Sequence, residues 1–117
     1  MKNNSKDIAI FFAGILDEKK AKDTIILNIK KISFIADYFI ISTAQSQVHL
    51  KALSNTIIEK IKENRIKRNV NCEGNYNTGW ILLDCGDIVI HLFSEEKRDY
   101  YRLEYIWHEA EKIIFKE

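Results

Sequence analysis

Near the start of the chain, apolar residues return with a helical period. Ile8, Phe11, Phe12, Ile15 and Leu16 fall at i, i+3, i+4, i+7 and i+8, one continuous stripe. Ser5 is placed to cap this helix, with Asp7 in its first turn facing the positive end, and Lys19, Lys20 and Lys22 close it at the negative end. From Thr24 to Ile29 the period shortens to two: Ile25, Leu27 and Ile29 share one face and Asn28 the other, which predicts a strand. Tyr38 to Thr43 is aromatic and β-branched, a second strand. Ser46 then caps a helix whose buried stripe is Leu50, Leu53, Ile57 and Ile61, ending near Asn64. Arg68 to Cys72 reads as a short third strand, parallel to the second because a crossover helix leads to it. Glu73 to Gly79 is turn chemistry.

Two further strands, Trp80 to Asp84 and Asp87 to Phe93, flank Cys85-Gly86, the clearest hairpin in the chain. A two-residue turn at Cys85-Gly86 sets Asp84 opposite Asp87, Leu82 opposite Val89 and Trp80 opposite His91. Side chains alternate along a strand, so these six residues share one face with Phe93. Ile81, Leu83, Ile88, Ile90 and Leu92 take the other. The aliphatic face must be core. The mixed face, with its indole, imidazole, phenyl ring and carboxylates, is poor core and good contact surface; the competing reading is that the chain's own helices cover it. Ser94 caps a last helix with Glu95 and Glu96 in its first turn, and Tyr100, Leu103, Ile106, Trp107, Ala110 and Ile114 on its core side. Tyr100 and Tyr101 are about 100° apart on that helix, so only one turns inward, and one becomes a neighbour of the strip. The pattern as a whole predicts one α+β domain over residues 1–117, a mixed, roughly five-stranded sheet covered by helices.

Composition narrows the function. At 117 residues the chain can bury a core without disulfides or metals. Eighteen basic and seventeen acidic side chains leave a net charge of +1, a weak excess for a protein that coats phosphates. Cys72 and Cys85 are the two cysteines, with no CxxC pair, and are expected as reduced thiols. The polar first residues do not make a signal peptide, and no apolar run approaches the ~18 residues of a membrane span. The expected setting is cytoplasmic, with no membrane partner.

The same segments carry a family resemblance. Ala36 to Thr43, Ser46 to Ala52 and Glu73-Gly74 are similar to the Iojap family, also called ribosomal silencing factor. The most specific stretch is Gly79-Trp80-Ile81-Leu82-Leu83-Asp84-Cys85-Gly86-Asp87-Ile88-Val89-Ile90-His91-Leu92-Phe93, followed by Tyr101-Arg102-Leu103-Glu104. The likeness runs from the first helix to Trp107. It implies a nucleotidyltransferase-like topology without the catalytic residues. It also implies a translational repressor that binds the large ribosomal subunit through its fourteenth protein, on the subunit-joining face, and sterically blocks the small subunit. By motif position the family's tryptophan falls on Trp80, its hairpin carboxylates on Asp84 and Asp87, its strand histidine on His91 and its last-helix tyrosine on Tyr101. Together with Leu82, Val89 and Phe93 these are the expected partner-binding residues. Two positions depart from the family: Ala44 stands where it has glycine, and Val48 where it has arginine beside His49.

Enzymatic readings fare poorly. Asp84 and Asp87 as a cross-strand pair would lie about 5 Å apart, but His91 sits roughly 13 Å along the strand at ~3.3 Å per residue and cannot join a metal site with them. No Gly-Ser helix start with a paired acidic motif is visible, and four scattered glycines make no phosphate loop. Cys85 has no histidine beside it in that register. His49 reads as a hydrogen-bonding residue at a helix start and His108 as solvated. No catalytic residue, metal or cofactor is expected. A nucleotidyltransferase-like enzyme and an RNA-binding module remain as alternatives. The run Lys60 to Arg68 is the one basic patch; it suits a helix C-terminus and could also make a peripheral contact with ribosomal RNA. An exposed aromatic strip could also pair with a second copy of the chain as a homodimer.

Overall fold

The computed structural model describes residues 4–64, 66 and 69–116. Helix α1 spans Ser5–Glu18, and Asn4 caps it: Asn4 Oδ1 accepts the Asp7 amide at 2.8 Å. Ser5, expected as the cap, is the first helical residue, and its hydroxyl donates to the Asp87 carboxylate instead. No basic residue lies in the last turn of α1; Lys22 already belongs to strand β1, Lys22–Asn28. Strand β2, Tyr38–Ala44, is buried along its whole length. Helix α2, Gln47–Glu63, begins at Ser46, whose hydroxyl accepts the His49 amide, and ends at Asn64. Both ends were legible from cap chemistry.

Strand β3 is Asn71–Asn75 and pairs antiparallel with β4, Trp80–Asp84. It is not the expected parallel partner of β2. Glu73 and Gly74 sit inside it, and only glycine fits position 74: φ is 78°, and a Cβ would lie 2.2 Å from the Trp80 carbonyl oxygen. The strand that runs parallel to β2 is β5, Ile88–Ser94, reached after α2, β3 and β4. The sheet therefore has six strands in the order β3-β4-β5-β2-β1-β6, mixed in direction. An α+β fold was expected, with one strand fewer.

The extra strand comes from the C-terminal segment. The single long helix expected after Ser94 stops as α3, Glu95–Tyr101, because Arg102 adopts a left-handed backbone with φ 47°. One turn follows as α4, Leu103–Ile106, and then β6, Glu111–Ile113, pairs antiparallel with β1. Tyr100, Ile106 and Ile114, expected on the core side, are 73, 65 and 78% exposed.

Helices α1 and α2 cover one face of the sheet. Phe12, Leu16, Leu50, Leu53 and Ile57 pack there against Ile26, Ile40, Ile81, Leu83, Ile88, Ile90 and Leu92. This is the aliphatic face of the hairpin, buried as expected. The opposite face carries a second cluster, Leu27, Ile29, Phe39, Ile41, Val89 and Phe93, with half-buried Trp80, Leu82, Leu103, Trp107 and Ala110 around it.

Candidate functional site: an aromatic sheet face with one open end

The β4–β5 turn sets the register of this second face. Cys85 and Ile88 close it, with the Cys85 amide donating to the Ile88 carbonyl at 2.9 Å, so the bend is Gly86-Asp87 and not Cys85-Gly86. Gly86 takes the positive φ of 89° that a tight hairpin asks of its first turn residue. Cys85 is buried, which explains the displacement: its thiol behaves as a small apolar group and joins the core. The observed pairs are Trp80 with Phe93, Leu82 with His91 and Asp84 with Val89, which replace the expected ones. Moving a bend by one residue shifts pairing by two, and a shift of two leaves every side chain on its own face.

The carboxylate pair does not survive. Asp84 faces Val89, and its Oδ1 accepts the Gly86 amide at 2.9 Å. Asp87 turns to Ser5 at the start of α1, away from the aromatic strip. Among the described residues no group of three or more His, Cys, Asp or Glu is arranged to hold a metal.

The rings do gather. Trp80 lies against Phe93 with ring centroids 5.3 Å apart, against His91 at 6.0 Å and against Tyr101 at 4.6 Å. Phe39, from β2, meets His91 edge-on at 4.8 Å and Trp107 at 5.3 Å. Each pair of Phe, Tyr or Trp rings among these contributes about 0.5–1.5 kcal/mol beyond the area it buries. Trp80 Nε1–H donates to His91 Nδ1 at 3.3 Å. The imidazole proton therefore sits on Nε2, which is buried and has no partner among the described residues. Desolvation by burial lowers the His91 pKa from 6.5 to about 4, so the ring is neutral at physiological pH.

The two readings of this face, open contact surface and surface covered by the chain itself, each hold for part of it. Val89, His91 and Phe93 are buried: the C-terminal segment packs Leu103, Trp107 and Ala110 against the cluster that holds Phe39, Val89 and Phe93, and His91 lies among the rings of Phe39, Trp80 and Phe93. What stays open is the β4 end. There a groove of about 290 Å³ is lined by Glu73, Gly74, Thr78, Trp80, Leu82, Lys97 and Tyr101. Trp80 and Leu82 are half-buried in it, and Tyr101 is 37% exposed. Of the two adjacent tyrosines, Tyr101 is the one beside the strip, and Tyr100 stacks edge-on against it from outside.

Sequence reasoning missed Phe39, Glu73 and Lys97 as neighbours of this site. The first could have been found from alternation along β2, had the β2–β5 pairing been known. The other two are brought in by α3 and by the edge strand β3. His49 is a bridge between helices: the Gln45 amide donates to its Nδ1 at 2.9 Å, and its Nε2 lies 2.8 Å from the Lys19 carbonyl. His108 is exposed. Val48 is 80% exposed and Ala44 is buried at the end of β2, so neither departure from the family touches the groove lining. Arg65, Lys67 and Arg68 of the basic run lie outside the described residues.

Residues 2–117 match the family described as "Ribosomal silencing factor during starvation". The chain belongs to that family. It is 36% identical over 107 residues to "Ribosomal silencing factor RsfS" of Bacillus subtilis, covering 92% of this chain and 90% of that protein. It is 30% identical over 96 residues to "Mitochondrial assembly of ribosomal large subunit protein 1" of mouse, 80% of this chain and 42% of that longer one. A crystal structure of a Chromobacterium violaceum protein superposes with a TM-score of 0.83 at 31% identity, over 90% of this chain and 87% of that one. That protein thus shares this fold, and no helix among the described residues is long and apolar enough to cross a membrane.

Proposed function

We propose that this silencing factor represses translation as a cytoplasmic steric plug. It docks on the large ribosomal subunit through the fourteenth protein of the subunit-joining face and keeps the small subunit from associating. The observation that carries the reading is the open end of the aromatic face, where Trp80 and Leu82 floor a groove walled by Tyr101, Lys97 and Glu73. Half-buried aromatic side chains rimmed by polar ones are the usual anchors of protein interfaces, and truncating one costs ≥ ~2 kcal/mol. Asp84, on the same face, adds a rim charge. The proposed role needs no turnover, because its energy comes from one interface. A peripheral contact with ribosomal RNA, and a homodimer that the ribosome displaces, are compatible extensions of the same surface logic.

Pull-down of large subunits from cell extract tests it. Trp80→Ala should bind roughly thirtyfold more weakly, the equivalent of ~2 kcal/mol, while circular dichroism shows a retained fold; retention equal to wild type contradicts the assignment. Calorimetry with nucleoside triphosphates and magnesium should give no heat, and a saturable signal would favour the enzyme reading instead.

A further inference from the structure

The C-terminal segment covers much of the aromatic face, and it is weakly built. None of its described residues from Leu103 onward is buried. Leu103, Trp107 and Ala110 lie half-buried on the aromatic face. The chain then crosses the sheet edge as β6, and Ile113 and Phe115 rest half-buried on the helical side. Tyr105, Ile106 and Ile114 point outward and are 67, 65 and 78% exposed, so the segment is apolar on both sides. It packs on the cluster of Phe39, Val89 and Phe93, and the Phe39 ring lies between Trp107 at 5.3 Å and His91 at 4.8 Å; none of these four sheet residues is more than 6% exposed.

The fit between segment and sheet is imperfect. Two buried side-chain atoms lack a partner among the described residues, and both belong here: His91 Nε2 on the sheet and Glu104 Oε1 on the segment. A buried polar group left unpaired costs more than an ordinary hydrogen bond returns. The segment also hangs from Arg102, a bulky residue in the left-handed region. Its polar ties are few: Arg98 to Glu104 at 2.9 Å, Asn28 to Glu111 at 3.2 Å, Lys116 to Asp17 at 3.1 Å, and a three-residue ladder with β1. Cover, hinge and unpaired atoms coincide.

We propose that residues 103–116 form a displaceable strap, and that the interaction surface extends beneath it to Phe39 and His91. The occupant is an apolar protein segment that brings a carbonyl or carboxylate oxygen to the His91 Nε2–H, a hydrogen bond that the described residues of the strap do not supply. This rests on the partner reading above, since it enlarges the same contact surface. It assigns the strap a gating role: the closed form offers only the Trp80 groove, and the open form offers the whole face.

A cross-link tests it. Asn28 and Glu111 are directly paired across β1 and β6, so Asn28→Cys with Glu111→Cys, in a Cys72→Ser background, can lock the strap when oxidised and free it when reduced. Two readouts follow on the same protein. The first needs no partner: carbethoxylation of His91 by diethyl pyrocarbonate, followed by mass spectrometry with exposed His108 as reference. His91 should react in the reduced protein and at least about tenfold more slowly when locked, because access requires local opening. Equal rates in both states overturn the proposal. The second is binding to purified large subunits, which should weaken on oxidation by the lost open fraction, about tenfold or more, and recover on reduction. Gated labelling with unchanged binding overturns the partner role of the covered face. Gated labelling in a reduced protein that binds no subunits removes the ribosomal reading, and the latent surface stands on the labelling.

Discussion

On one side of the sheet, α1 and α2 bury Phe12, Leu16, Leu53 and Ile57 against a wholly aliphatic floor. On the other, a short α3, a single turn and a strand edge lie over rings and an imidazole, and one polar atom on each side, His91 Nε2 and Glu104 Oε1, has no partner among the described residues. The strands are shared, so the difference lies in what alternates along them. Ile81, Leu83, Ile90 and Leu92 ask only to be out of water, and two capped helices satisfy them. Trp80, His91 and Phe93 bring directional demands that the cover meets in part. One face makes the fold stable; the other is left with an open end and a loose cover, the state expected of a surface that has work to do with a partner.

Three substitutions sharpen this contrast. Phe12→Ala, on the helical face, should cost the most stability, about 3–5 kcal/mol, since the ring is fully buried and leaves a cavity. Chemical denaturation measures it, and the residual folded protein should bind subunits as wild type does. His91 comes next. Its pKa is lower folded than unfolded, so as pH falls from 6.5 towards 4 only the unfolded chain takes up the proton and stability is lost. Between pH 7 and 5 wild type should lose about 2 kcal/mol more than His91→Phe, read from paired urea melts. Equal losses would mean that the imidazole is not desolvated. Smallest is Ser46→Ala, which removes the α2 cap and should cost about 1 kcal/mol without touching binding.

The helical face was almost wholly legible in the amino-acid order. Stripes at i, i+3 and i+4 named its residues, and Ser46 and Asn64 marked the bounds of α2. The aromatic face was legible as a set and not as a surface. Period-two alternation put Trp80, Leu82, His91 and Phe93 together, and parity protected that grouping when Cys85 moved into the core and the bend advanced to Gly86-Asp87. Exposure could not be read the same way. The cover over Phe39, Val89 and Phe93 depends on Arg102 breaking the last helix, and no proline or glycine marks that break. Ile113 sits in a period that suits helix and strand alike over so short a run, so β6 was hidden in the expected helix. Gly74 looked like turn chemistry because its positive φ is what turns use, although here a strand needs it.

Gradient co-sedimentation with separated ribosomal particles tests the central claim most directly. The account predicts that the wild-type chain travels with free large subunits and that Trp80→Ala stays at the top of the gradient. Co-migration of the variant with those subunits, or of the wild type with joined ribosomes, would contradict it.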